Sequence, residues 1–114
     1  MNYVSLIVKI IEEPKQQFLG YKQYLTVTKL TGKYTARRNK NYINTIKIKA
    51  WGKLAYQVKE YYNVNDYILV EGFISIKKEE ENANSPLIVE ITAKRVFPFL
   101  MESIKPTANS SILF

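Results

Sequence analysis

The sequence predicts a small all-β domain, a barrel of five strands with one helix between the third and fourth strands. Three observations support this prediction. Five β-rich segments are separated by turn-forming residues, several of them alternate strictly between apolar and polar residues, and one short stretch has helical spacing instead. The chain has 114 residues, which is the size of one domain.

The first three strands are predicted before the helix. Every second residue from Val4 to Ile10 is apolar, which predicts a strand over residues 3–11. A second β-rich segment covers residues 24–28, and a polar, basic loop is expected over residues 31–41. The clearest alternation, over residues 45–51, predicts the third strand.

The helix and the last two strands follow. Apolar residues recur at helical spacing over residues 53–62, and the next strands are predicted at 68–77 and 87–94. Five antiparallel strands with a helix after the third is the order of the OB-fold, a small Greek-key barrel. We expect residues 1–100 to form this domain and residues 101–114 to form a short, flexible tail.

The composition argues against catalysis and metal binding. The chain has no Cys and no His, which removes thiolate and imidazole zinc sites, Cys nucleophiles and the most common general base. Its adjacent acids, Glu12-Glu13 and residues 79–81, lack the spacing of a catalytic carboxylate pair. We therefore expect a soluble protein that is not an enzyme, with no cofactor and no membrane partner, since no apolar run could span a bilayer.

The charge is concentrated in one part of the chain. Residues 14–59 contain eleven Lys or Arg and no acid, whereas the rest of the chain contains six bases and ten acids. A long stretch of one sign is typical of proteins that bind a polyanion. The alternative is a solvated, lysine-rich surface in a chain from an AT-rich genome, and charge alone leaves both interpretations open.

The third strand suggests how a polyanion would be bound. Lys47, Lys49 and Trp51 share its outer face, where an aromatic ring can stack on a nucleobase while ammonium groups meet phosphates. Phe73 and Lys77 share a similar outer face on the fourth strand. The predicted DNA-binding residues are Trp51, Lys49, Lys47, Arg37, Arg38, Lys40, Tyr34, Tyr42, Phe73 and Lys77. The alternative roles are packing or a subunit interface for the two aromatic residues of the strands, and plain solvation for the loop cations.

Several short motifs resemble those of the single-stranded DNA-binding protein (SSB) family. The block Ala-Trp-Gly-Lys-Leu-Ala at residues 50–55 is similar to the family's strand end and helix start, and Glu71-Gly72 is similar to its acidic-Gly pair in the next strand. The resemblance covers residues 2–97. It is strongest to the SSB-like proteins encoded in algal plastids and cyanobacteria.

The resemblance implies non-sequence-specific binding of single-stranded DNA in replication and repair. It gives Trp51 the family's base-stacking role and Lys77 a basic contact. Two further stacking positions of the family fall on Thr45 and near Glu79, so weaker binding than that of a full SSB is expected. The family also implies a homodimer or homotetramer. A plastid stroma is the expected location, with a bacterial cytoplasm as the alternative.

The end of the chain departs from the family pattern. Bacterial SSBs end in an acidic tail that recruits protein partners, whereas residues 109–114, Asn-Ser-Ser-Ile-Leu-Phe, close with apolar residues and contain no acid. Recruitment by that route is therefore not expected. Two other functions remain open at this point, a primosome- or nucleoid-type interaction protein with weak DNA binding and an RNA-binding OB module.

Overall fold

A computed structural model describes residues 2–20, 25–34, 44–78 and 87–100 of the protein. Within these residues the chain forms six strands and one helix. In chain order they are β1 (Tyr3–Ile10), β2 (Lys15–Phe18), β3 (Thr26–Lys33), β4 (Thr45–Trp51), α1 (Lys53–Tyr61), β5 (Tyr67–Lys78) and β6 (Leu87–Leu100).

The strands form one sheet that curves back on itself. Its order is β1-β5-β6-β4-β3-β2, and a further pairing joins β1 to β3 and closes the barrel. All neighbours are antiparallel except β4 and β6, which run parallel over three residue pairs centred on Ile48 and Ile91. The closing contact between β1 and β3 is even shorter, with two residue pairs, Lys9 opposite Lys33 and Ile10 opposite Gly32.

The alternation seen in the sequence faces the barrel interior as expected. Ile46, Ile48 and Ala50 of β4 are at most 2% exposed, and they meet Val8 and Ile10 of β1 in the same core. Residues of β5 and β6 complete it from the other side. Since alternate residues of a strand point to opposite faces, the lysines between these apolar residues must lie on the outer surface.

The predicted OB-fold is confirmed, with one difference in the number of strands. Residues 15–18 form a short strand, β2, that pairs with β3 and was not expected, so α1 follows the fourth strand and not the third. The segment Lys-Gln-Gln-Phe has no apolar alternation. Its pairing depends on the hydrogen bonds that β3 offers at its edge, which the segment's own sequence does not reveal.

Two strands are longer than their local sequence predicts. β3 continues through Thr31 and Gly32 into the expected loop, because these residues pair with Lys47 and Ile46 of β4. β6 continues beyond residue 94 to Leu100, which lies opposite Tyr67 at the start of β5. In both cases a neighbouring strand supplies the pairing that a polar or Pro-containing segment does not signal by itself.

Helix α1 is preceded by Gly52, and the backbone conformation at this position requires a glycine. Gly52 has φ 65° and ψ −133°, a conformation that residues with a Cβ rarely adopt. Its N–H donates to the carbonyl of Thr26 at 2.9 Å, and the Thr28 hydroxyl donates to the carbonyl of Ala55 at 2.7 Å. The helix is thereby fixed to β3, directly beside Trp51. In the part of the chain that the structure describes, no helix is long and apolar enough to cross a membrane.

Gly72 provides a test of how closely β5 and β6 approach one another. A Cβ at this position would clash with the backbone carbonyl oxygen of Thr92 and lie 2.9 Å from the Cα atom of Ala93. We expect Gly72→Ala to lower the free energy of unfolding by about 1–3 kcal/mol in urea titrations, because the two backbones must separate. Gly20→Ala is the control, since its Cβ would meet only the flexible Leu25 side chain. Equal stabilities of the two variants would contradict this packing.

Candidate nucleic-acid interface

The outer face of β4 presents the predicted cations and the aromatic residue together. Lys47, Lys49 and Trp51 occupy alternate positions of this strand. Trp51 is 38% exposed although it is a large apolar side chain. It lies at the end of the strand, where the turn at Gly52 and the first turn of α1 hold its backbone. Its neighbour on the same face, Lys49, is about 7 Å away along the strand.

A row of lysines crosses the sheet at Lys49. Lys15 of β2 lies opposite Lys29 of β3, and Lys29 lies opposite Lys49 of β4. Like charges directly opposite one another destabilise a sheet. An anion held above the row would relieve this repulsion, so the row is well suited to bind phosphate.

Lys15 and Lys29 were not among the predicted DNA-binding residues. Their alignment with Lys49 depends on the pairing register of three strands, which the sequence does not show. The sequence does hold one indication for Lys29. Its neighbours Thr28 and Leu30 face inward, so strand alternation places the Lys29 side chain outside the barrel.

A carboxylate lies among the cations of this face. Glu90 of β6 is next to β4, and its Oε1 atom is 2.7 Å from Nζ of Lys49 and 3.3 Å from Nζ of Lys77. Burial by itself would raise the pKa of Glu90, but the hydrogen bonds and positive charges of Lys49 and Lys77 outweigh it and lower that pKa below its usual value. Lys47 has a different partner, because its Nζ donates to the hydroxyl of Thr31 at 3.1 Å.

A shallow groove of about 340 Å³ runs along these side chains. Its lining contains the cations Lys15, Lys29, Lys47 and Lys49, apolar residues such as Ile88, and the acids Glu12, Glu13 and Glu90. Apolar and cationic groups together match the chemistry of a nucleic-acid strand, whose bases are apolar on their faces and whose phosphates are anionic.

Two other predicted aromatic residues are partly covered by packing. Phe73 is half-buried and packs edge-to-face against Tyr3, with ring centroids 5.2 Å apart, while Nζ of Lys94 lies 5.7 Å from its centroid. Tyr34 is also half-buried and packs against the core. Both rings therefore have less free surface for a base than their positions in the sequence indicated.

The structure thus brings together part of the predicted set. Lys47, Lys49 and Trp51 share one strand face, and Glu90 links Lys77 to it. The remaining four predicted residues, Arg37, Arg38, Lys40 and Tyr42, lie outside the described residues. Among the residues described, no group of three or more His, Cys, Asp or Glu side chains is placed to hold a metal ion.

An OB-fold barrel with an exposed aromatic ring beside a cationic groove defines a class of proteins that bind single-stranded nucleic acid. The model of the single-strand binding protein family matches residues 1–99. The chain belongs to this family, so the resemblance found in the sequence is confirmed.

Two relatives extend the comparison. The chain is 36% identical over 111 residues to ycf41 of Trieres chinensis, provisionally named a single-stranded DNA-binding protein, and the match covers 94% of this chain and 96% of that protein. It is 27% identical over 97 residues to slr1034 of Synechocystis, named a thylakoid-associated single-stranded DNA-binding protein, with 84% and 74% covered.

Solved structures support the fold independently of sequence identity. The small single-stranded DNA-binding protein of Streptomyces coelicolor has a TM-score of 0.72 at 16% identity, covering 91% of this chain and 97% of that one. The SSB domain of a Synechococcus protein has a TM-score of 0.65 at 21% identity, covering 85% and 94%. At these identities the likeness establishes the OB-fold alone.

The two ion pairs of Glu90 predict a pH-dependent contribution to stability. The pKa of Glu90 is lowered on folding, so its contribution is complete above the ordinary carboxyl value of 4.5 and is lost as the pH falls through the lower folded value. We expect wild type and Glu90→Gln to differ most in free energy of unfolding near neutral pH, with the difference shrinking below about pH 4. Urea titrations across this range measure it. A difference that does not change with pH would contradict the pairing.

Proposed function

We propose that the protein binds single-stranded DNA without reading its sequence, and so supports DNA replication and repair. In this proposal a base stacks on Trp51 while phosphates follow the lysine row of Lys15, Lys29 and Lys49. The observation that carries the proposal is the position of an exposed Trp at the end of a cationic strand face in a member of the single-strand binding protein family.

The side-chain chemistry of this face favours non-specific binding. Every base has a flat π-face, so stacking on Trp51 accepts any sequence, and each stacked base contributes about 1–3 kcal/mol. The lysine ammonium groups are point charges that contact phosphates, which carry no sequence information. The same two interactions would also accept RNA, so the choice between DNA and RNA is an outcome of the test below.

The rest of the predicted interface enters as a proposal. We assign Lys47 and Lys77 to phosphate contacts, and we keep Arg37, Arg38, Lys40 and Tyr42, which lie outside the described residues, as proposed DNA-binding residues. Phe73 and Tyr34 are expected to contribute less, because packing covers part of each ring. We further propose that the protein acts by binding and not by catalysis, without a cofactor.

The opposite part of the barrel surface supports self-assembly into a homodimer or homotetramer. Ile7 of β1, Leu69 of β5 and Phe97 of β6 lie side by side across three strands, and Ile7 and Phe97 are 41% and 42% exposed. We call these three residues the apolar row. An outer β-sheet face with such a row gains by burial against another copy.

The relatives support an assignment of location. One is named as thylakoid-associated, and we propose that this protein acts in the stroma of a plastid, with a bacterial cytoplasm as the alternative. We also propose that residues 1–100 are the binding domain; the expected tail, residues 101–114, lies outside the described residues.

The binding proposal can be tested with the protein's own fluorescence. Trp51 is the one Trp of the sequence, so quenching reports a base at this position. We expect oligo-dT to quench Trp51 strongly at low salt, with an affinity that falls steeply as salt is raised. Absence of quenching at low salt would favour the interaction-protein alternative, and equal affinity for oligo-U would favour RNA binding.

The contribution of Trp51 itself is measured with a labelled oligo-dT, whose anisotropy does not need the Trp signal. Loss of one stacked base predicts that Trp51→Ala weakens binding by about 5- to 150-fold. Tyr61→Ala is the matched control, since Tyr61 is a 61% exposed aromatic residue on α1. Full affinity of the Trp51→Ala variant would refute stacking at this site.

Assembly through the apolar row predicts that a charge within it lowers the oligomeric state. We expect Phe97→Asp to elute as a smaller species than wild type in size-exclusion chromatography with light scattering, since an aspartate would be buried without a partner. Phe18→Asp is the control, because Phe18 is 64% exposed on β2 and outside the apolar row. A monomeric wild type, or an unchanged mass for Phe97→Asp, would contradict the proposal.

A further inference from the structure

Glu90 occupies an unusual position for an acid in a phosphate-binding surface. Its strand, β6, lies between β4 and β5, and Glu90 is opposite Lys47 on one side and Ser75 on the other. Its side chain is 15% exposed, and a single oxygen atom, Oε1, accepts from both Lys49 and Lys77. The carboxylate therefore lines the groove, is largely buried and is paired with two lysines of the same face.

We propose that Glu90 is an internal competitor of the DNA phosphates: it neutralises Lys49 and Lys77 in the free protein, and a bound strand must displace it from them. This inference rests on the proposed function, because it concerns the same face. It gives Glu90 a role in setting the affinity and salt dependence of binding, separate from any role in the fold.

The competition follows from the shared chemistry of the two anions. A carboxylate oxygen and a phosphate oxygen are both anionic acceptors for the same ammonium donors. The side chain of Lys49 is only 20% exposed, and its Nζ is already 2.7 Å from Glu90. A phosphate that approaches Lys49 must therefore share this ammonium group with Glu90 or replace the carboxylate.

Lys47 provides a comparison within the same strand face. Its Nζ donates to the neutral hydroxyl of Thr31, and among the described residues no ion pair joins it to a carboxylate that a phosphate would have to replace. Lys77 is intermediate, since its pair with Glu90 is longer, at 3.3 Å, and its side chain is 57% exposed. Of these three lysines, Lys49 and Lys77 are thus the two whose contacts with phosphate are opposed by Glu90.

Ion pairing also changes how salt acts on binding. A lysine that neutralises a phosphate contributes to the salt dependence because condensed counterions are released, by about 0.7 in the logarithmic slope for a single strand. When a lysine merely exchanges Glu90 for a phosphate, the freed carboxylate takes up a cation from solution and offsets that release. Glu90 is therefore expected to make binding both weaker and less sensitive to salt.

The experiment compares wild type with Glu90→Gln, using labelled oligo-dT at several salt concentrations. The amide keeps the size of the side chain and removes its charge. We expect Glu90→Gln to bind about three- to tenfold more tightly at low salt, and its logarithmic salt slope to be steeper by about 0.7–1.4. Glu60→Gln, on the exposed surface of α1, is the control for net charge.

A second background shows whether Glu90 acts through its two lysines. In Lys49→Gln/Lys77→Gln protein, the gain from Glu90→Gln should disappear. A gain that persists there, or one matched by Glu60→Gln, would mean general repulsion and would overturn the proposal. A lower affinity of Glu90→Gln would overturn it as well, because Glu90 would then be needed to position the lysines.

Two observations separate this inference from the proposed function and from misfolding. If wild type does not bind oligo-dT, the proposed function fails; if wild type binds and Glu90→Gln has the same affinity and slope, only the role of Glu90 fails.

Circular dichroism melting curves establish that each variant is folded. Should Glu90→Gln be unfolded, Lys77→Gln remains informative. Loss of an unopposed, exposed lysine contact would weaken binding of oligo-dT by about twofold to fivefold. Competition with Glu90 predicts that Lys77→Gln loses less affinity than this, and a larger loss would overturn the proposal.

Discussion

The parallel pairing of β4 with β6 is the contact on which the rest of this structure depends. Without it, β1, β5 and β6 would form one sheet and β4, β3 and β2 another, joined only at the short contact of β1 with β3. Its central pair, Ile48 and Ile91, is buried in the core, while the flanking pairs place Lys47 beside Glu90 and Lys49 beside Thr92. One short ladder thus joins the two halves of the sheet and assembles the outer face.

The same ladder explains why the proposed binding face is electrostatically mixed. Three strands that are rich in lysine meet a strand that carries a carboxylate, and strand alternation forces both onto one surface. Repulsion among Lys15, Lys29 and Lys49 favours an anion above the row, and Glu90 supplies an internal one at its end. In the proposed function, stability of the free protein and affinity for a polyanion therefore act against each other at this site, a trade-off that is common where function requires clustered charge.

The barrel also separates two outer surfaces. In the sequence, both come from the same alternation of inward and outward residues along strands. On β4, the outward positions hold Lys47, Lys49 and Trp51, and the two lysines line the groove. On β1, β5 and β6, outward positions hold apolar residues that align across the strands, with Ile7 opposite Leu69 and Leu69 opposite Phe97. One surface is suited to a flexible polyanion and the other to a second copy of the chain. Each arises only when neighbouring strands are in register.

The sequence by itself determined the elements that local patterning controls. Alternation in residues 45–51 fixed which side chains of β4 face outward, helical spacing after Gly52 fixed α1, and the Trp-Gly-Lys-Leu-Ala block identified the family. Tertiary structure alone decided the pairing of β2 with β3, the extension of β6, the lysine row through Lys29, and the place of Glu90 among the cations. These features depend on register between strands that are distant along the chain. The free energy of such pairing lies in contacts between segments, and no single segment carries a signal of it.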